Sequence, residues 1–358
     1  MAFGTLSTLD TLAATQQSIA EYGEDRAWDQ IDVALAAHNR QMQELVDGFV
    51  EITADRQRRY GSAASKSMQE LDQFGQPAPQ KVTAGVTVGF PLRLYGDALQ
   101  WTRKFMQTPG SAAQLTAELN SMMDADRRNI IYQIKKALFT PAGYSFLDVL
   151  IDSVTLAVKP LVNADGASIP LGPNGESFNA GSHTHYLYTT GTAIAAADLS
   201  GLITTVLEHH NTGTPVVYIS TAEESAVRGL VGFTAYIDAR IVRGGGATTD
   251  VAGAGLDMMN PYDRAIGLFG AAEIRVRPWM PSGYLLATVL NAGMSPLVMR
   301  TRGGFGALQL IFEDESHPLR AKSYEREFGM GVWTRTGAAV LYIDTGNGDV
   351  YVAPTLTN

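Results

Sequence analysis

Between Val82 and Leu94 every even-numbered position is apolar: Val82, Ala84, Val86, Val88, Phe90, Leu92 and Leu94. The odd positions, Thr83 to Arg93, are small, polar or charged. This period of two puts all the apolar side chains on one face of an extended chain. At the rise of a strand the run would span roughly 40 Å, far beyond an average strand. A shorter run with the same period, Val46-Gly48-Val50-Ile52-Ala54, lies upstream, and the polar, Gly- and Pro-containing stretch 61–80 separates the two. The pattern predicts a long two-stranded arm. Such an arm cannot bury its own apolar face, so something else must cover it.

Composition narrows the function classes. The chain has 358 residues, enough for a substantial core and for two or three structural units. Its net charge of −9 argues against sequence-independent nucleic-acid binding and against attachment to anionic membranes. With no cysteine, disulfides, thiolate catalysis and Cys-ligated zinc are excluded. The first sixteen residues lack the basic and hydrophobic regions of a secretory signal, and no apolar run has the length of a membrane span. A soluble protein made in the cytoplasm is expected.

Trp28, Ile31, Leu35, His38, Met42 and Leu45 share one face of an N-terminal helix. A helix from about Thr108 to Phe139, capped by Thr108, with Pro109 in its first turn and ended by Pro141, would form a rod of roughly 45 Å. Its apolar arc carries Leu115, Leu119, Met122, Met123, Ile130, Ile134, Ala137 and Leu138, and is interrupted by Asp126 and Arg127. Two readings stay open there: two half-faces that pack on different bodies with a polar joint between them, or a charged pair at the edge of one interface. Downstream, Tyr144–Tyr188 reads as strands and turns. Asp198 can cap a helix that carries Leu202, Ile203, Val206 and Leu207; a strand follows at Pro215–Ile219, and Thr221 and Glu224 have capping-box spacing for another helix. Further strands are predicted at 273–277, 284–290, 297–302, 338–343 and 350–352, the last two joined as a hairpin through Asn347-Gly348.

No constellation makes a persuasive active site, and no cofactor is expected. His183 and His185 would share a strand face and could supply two metal ligands, but spacing indicates no third, so they read as ordinary strand histidines. His209 and His210 complement the C-terminal dipole of a helix. His38 reads as a packed histidine. Gly244-Gly245-Gly246 and Gly253-Ala254-Gly255 lack the context of a phosphate loop. Glu313-Asp314-Glu315 reads as a solvated turn rather than a cation site. Arg56, Arg58 and Arg59 form a small basic cluster that could bind nucleic acid, but pairing with acidic residues of a neighbouring subunit suits the overall charge better.

The order of elements resembles the Hong Kong 97-type major capsid protein of tailed double-stranded DNA bacteriophages, an α+β fold. So do three local sequences: Gly181-Ser182-His183-Thr184-His185-Tyr186, Val276-Arg277-Pro278-Trp279-Met280-Pro281, and the block from Met299-Arg300-Thr301-Arg302 through Tyr324-Glu325-Arg326-Glu327-Phe328-Gly329-Met330-Gly331-Val332. The resemblance implies a helical N-terminal arm at 1–45, an extended β-hairpin loop at 46–107, a spine helix at 108–140, a peripheral domain at 141–197 and 303–358, and an axial domain at 198–302. It implies no enzyme activity, but self-assembly into pentamers and hexamers that close an icosahedral shell, a virion capsid assembled in the host cytoplasm around DNA that it does not bind sequence-specifically. Portal, scaffolding or cementing proteins would be its other partners. On this reading Val82, Val86, Val88, Phe90, Leu92 and Trp101 lie at or near contacts between subunits, and Arg56, Arg58, Arg59, Asp126 and Arg127 set their register. Gly244, Gly245, Gly246, Gly253 and Gly255 would surround the capsomer centre. Two other functions compete: an encapsulin-like shell that packages cargo enzymes, and a metallohydrolase built on His183 and His185.

Overall fold

The computed structural model describes residues 17–46, 50–60, 68–71, 73–80, 85–210, 212–236, 264–293, 295–304, 306–314, 319–346 and 348–357. The chain opens with helices α1 (Ile19–Tyr22) and α2 (Glu24–Val46). Strands β1 (Val50–Thr53), β2 (Gln57–Tyr60), β3 (Val86–Gly89) and β4 (Arg93–Thr102) follow, then α3 (Arg103–Met106) and the long α4 (Ser111–Phe139). Next come β5 (Tyr144–Leu147), β6 (Thr155–Val158), β7 (Tyr186–Tyr188), α5 (Ala196–Leu207), β8 (Thr214–Ile219) and α6 (Glu224–Arg228). The chain continues through β9 (Phe233–Ala235), β10 (Arg264–Phe269), β11 (Ala272–Val276), β12 (Tyr284–Leu290) and β13 (Leu297–Arg300). It closes with β14 (Gln309–Asp314), β15 (Leu319–Val332) and β16 (Ala338–Tyr342).

A mixed sheet runs β7-β16-β12-β8-β11-β10-β9. Its central strands are buried on both faces, and the period of two sorts their side chains between two cores. Val216, Tyr218, Leu286, Val340 and Tyr342 enter a central core. Their neighbours Val217, Ile219, Leu285, Leu341 and Ile343 enter a second core, roofed by Leu199, Leu202, Ile203 and Val206 of α5. The other large sheet runs β1-β13-β15-β14, with β4 also paired to β15.

Helix α4 joins the cores. Leu115, Leu119 and Met122 pack with Ile31 and Leu35 of α2 and with Leu99 and Trp101 of β4. Ile130, Ile134, Leu138 and Phe139 belong to the central core. Of the two readings left open at Asp126, the joint between half-faces is the observed one. Arg127 points outward and pairs with Asp124 at 3.2 Å.

Several local expectations change. The alternating run is not one strand: β3 ends at Gly89, and Phe90-Pro91-Leu92 breaks the ladder before β4 begins. Pro91 has no N–H for a ladder, which makes it a natural break point. The partner of β3 is β2, with Arg58 opposite Val88, whereas of the upstream run Val46 ends α2 and only Val50 and Ile52 lie in β1, which pairs parallel to β13. Helix α4 begins three residues later than the proposed Thr108 cap, after Gly110 at φ +77°; the Thr108 hydroxyl donates instead to the Lys104 carbonyl, 3.0 Å. Asp198 is the third residue of α5 rather than its cap and accepts from the Ala195 N–H at 2.8 Å. No hairpin forms at 350–352, because β16 is already bonded to β12 on one side and β7 on the other.

Candidate functional site

The structure covers the middle of the alternating run, Val88 to Leu92, from within the same chain, and leaves Leu94 half exposed. Val88 and Phe90 are fully buried and Leu92 is 2% exposed. Val88 and Phe90 form a small cluster with Tyr60 and Val298, against which Trp333 packs. Arg58 lies over the Trp333 ring at 4.5 Å, and the Tyr60 hydroxyl donates to Thr336 at 3.0 Å. A Cβ on Gly331 would come within 2.8 Å of the Phe90 ring, and one on Gly329 would collide with the Pro91 carbonyl. The glycines of β15 thus let the 90–92 segment lie directly on the sheet. Trp101 is also buried, its ring 5.0 Å from that of Trp28. The inference that another subunit must cover this face is therefore corrected for Val88, Phe90, Leu92 and Trp101, whose cover is intramolecular. Val86 is half-buried, and Val82 lies outside the described residues, as do Gly244, Gly245, Gly246, Gly253 and Gly255.

The charged candidates divide. Asp126 is buried, receiving Arg326 Nε at 2.8 Å and meeting His38 Nε2 at 2.8 Å. It is a strut of the chain's own core. Arg56 reaches Asp152 at 2.6 Å, Arg58 reaches Glu51 and Asp55, and Arg59 is exposed. Hydrogen bonding to Arg58 holds the Asp55 carboxyl below its ordinary range. These arginines lie near the surface, where a neighbour can still reach them.

Exposed apolar side chains lie elsewhere. Edge strand β14 presents Leu310, Ile311 and Phe312 in succession, Phe312 at 58% exposure. The β5–β6 hairpin and its turn present Leu147, Val149, Ile151 and Val154. Large exposed apolar patches mark interaction sites, and an open edge strand is a template for pairing. Strict alternation could not have flagged β14, since Leu310-Ile311-Phe312 is a continuous run.

The fold also assembles a cluster of histidines. His183 and His185 precede β7, and Glu208 and His209 follow the last residue of α5. His183 Nε2 lies 3.0 Å from His209 Nε2 and 3.3 Å from Glu208 Oε1, which is 3.7 Å from His209 Nε2. One ligand atom from each of the four residues lies within 4.8 Å of all the others. Burial pushes the His185 imidazole down to about 3 and that of His209 to about 2, lowers His183, and raises Glu208. Burial thus favours the neutral form of all three rings, and neutral imidazole is the form that can donate a lone pair. Spacing along the chain indicates no third ligand beside His183 and His185; the fold brings Glu208 and His209 to them. Glu313, by contrast, pairs with Lys322 at 2.8 Å.

No protein-family profile and no curated protein matches the sequence. Among solved structures, the chain is similar to one from Mycobacterium phage Patience at 20% identity and a TM-score of 0.66, covering 91% of this chain and 90% of that one. The capsid of a native GTA particle aligns at 9% identity and a TM-score of 0.49, covering 83% and 89%. The holo-SrpI encapsulin complex from Synechococcus elongatus aligns at 11% identity and 0.42, covering 86% and 89%. At these identities the similarity to the Patience structure is one of fold.

Proposed function

We propose that this chain, which has the Hong Kong 97-type capsid fold, is the major capsid protein of a tailed double-stranded DNA bacteriophage and works by self-assembly rather than catalysis. The observation that carries the reading is the likeness to the Patience structure over nine-tenths of both chains. The function follows from geometry: a subunit that closes its own cores but leaves apolar strips on β14 and on the 147–154 turn supports association with copies of itself. Many modest contacts of this kind, repeated around pentamers and hexamers, add up to a stable icosahedral head without any one of them being large. The surface arginines Arg56, Arg58 and Arg59 and the exposed Arg127 would set register between neighbours. A net charge of −9 suits a container that encloses DNA without gripping it. Within this reading segments 141–197 and 303–358 form the peripheral domain, and 198–302 the axial domain. The protein would reside in the virion, with portal, scaffolding or cementing proteins as further partners. No helix among the described residues is long and apolar enough to cross a membrane.

Light scattering and electron microscopy on the purified full chain test this. Megadalton closed shells are expected; a small, monodisperse oligomer would overturn the proposal. Nuclease-protected DNA inside particles recovered from infected cells is the second expected result. DNA-free shells holding a co-purifying enzyme would assign the fold to a cargo compartment instead.

A further inference from the structure

We propose that His183, His185, Glu208 and His209 form a structural site for a divalent transition-metal ion of the zinc class, which fastens the segment before β7 to the C-terminal end of α5. Three imidazoles and one carboxylate are a donor set suited to zinc. In a tetrahedron with bonds near 2.05 Å, neighbouring ligand atoms lie about 3.3 Å apart. The distances among His183 Nε2, His209 Nε2 and Glu208 Oε1 are 3.0, 3.3 and 3.7 Å, scattered around that value. The three atoms already stand at ligand spacing.

His185 supplies an independent observation. Its Nδ1 lies 2.7 Å from the Ala338 carbonyl oxygen, which can only accept, so the ring proton sits on Nδ1 and the lone pair on Nε2. That Nε2 is buried and has no hydrogen-bond partner among the described residues, while its ring stands 5.2 Å from His183 and 5.0 Å from His209, centre to centre. A fully buried acceptor without a donor is costly, and a cation at the cluster removes the cost. Fixing the tautomer through a backbone carbonyl is also how metal-ligating histidines are commonly held. His183 and Glu208 remain partly exposed, which leaves the ion a way in from solvent. Phe178 packs on His183 and His209, its ring centre 4.9 and 4.2 Å from theirs. Four protein ligands leave no open position, which makes the site structural rather than catalytic.

The test uses the full chain, stripped with a chelator and dialysed against Zn2+ or Co2+. One ion per chain by elemental analysis, visible absorption typical of tetrahedral Co2+, and a Zn2+-dependent rise in the thermal midpoint are expected. Glu208→Gln and His183→Gln, both at partly exposed positions, should each weaken zinc binding about tenfold or more. His210→Gln should leave binding unchanged, since His210 Nε2 faces the Thr336 carbonyl instead. Failure to take up an ion would overturn the proposal. So would uptake that is the same in the Glu208→Gln and His183→Gln chains, because the ion would then lie elsewhere. If one of these variants does not fold, the other decides. Because the readouts are metal content and ligation, the outcome is separate from whether the chain forms shells.

Discussion

Three arginines with side chains almost wholly out of solvent, Arg300, Arg326 and Arg335, tie separate chain segments together. Arg326 donates to Asp126, to the Gly306 carbonyl at 2.8 Å and to Asn39 at 2.7 Å, so β15, α4 and α2 meet at one guanidinium. Arg300 spans the Phe90 carbonyl and Asp148, each at 2.9 Å. Arg335 collects the Pro160 and Leu161 carbonyls, Asn163 and Asp165. Removing one partner of such a buried pair strands the other charge, so Asp126→Ala should cost about 3 kcal/mol in denaturant unfolding of the unassembled chain. Asp165 gives a pH prediction. Burial alone would raise its carboxyl pKa, but hydrogen bonding and attraction to Arg335 outweigh it and hold the pKa below the ordinary value of 3.8. A carboxyl with a depressed folded-state pKa stabilises the fold above its unfolded value and loses that contribution as pH falls through the folded one. Asp165→Asn should therefore unfold at lower denaturant than wild type at neutral pH, and the gap should close as the pH drops below about 3.8, read from paired unfolding curves.

At the scale of elements, the outcome turns on how closely one segment can approach another. The 90–92 segment rests on β15 where Gly329 and Gly331 leave room. Gly329→Ala pushes a methyl into the Pro91 backbone, which cannot rotate away, and should destabilise the chain by about 1–3 kcal/mol, visible as a lowered thermal midpoint. That contact also explains what was legible in the sequence. The alternation at 82–94 correctly marked Val88, Phe90 and Leu92 as buried, yet a pattern of two says nothing about which surface does the burying. The helices were legible because their periodicity is local: the stripe from Ile31 to Met42 lies inward along α2, and both halves of α4 carry the apolar arc read from spacing. Their exact starts were not, because Thr108 and Asp198 both suit a cap by residue type, whereas the chain turns into α4 at Gly110 and Asp198 reaches back three residues to the Ala195 N–H. The histidine cluster shows the same limit. Each pair stood out alone, but the meeting of 183/185 with 208/209 depends on α5 packing beside β7 and β16, which no spacing encodes.

For the whole molecule, the apolar strip on β14 belongs to assembly. Ile311→Asp with Phe312→Asp places two charges where a neighbour would bury them, while both positions are exposed within the subunit. The doubly substituted chain should fold with a normal thermal midpoint and circular dichroism yet fail to form shells by electron microscopy. Intact shells would move the contact away from this edge. Within the subunit, β15 binds β4 through a register running from Leu319 opposite Thr102 to Phe328 opposite Arg93. It then continues along β13 from Gly329 to Val332, with β14 along its other flank near its start. Helix α4 crosses the same interval, from the α2 packing to the central core. A pull directed along β15 cannot open this ladder rung by rung, because the bonds lie across the line of force and must slip together. Strand and helix act as tie and strut, so a subunit stretched in a single-molecule pulling measurement should yield first at the two-stranded pairings β2–β3 and β5–β6, before the β15 ladder slips.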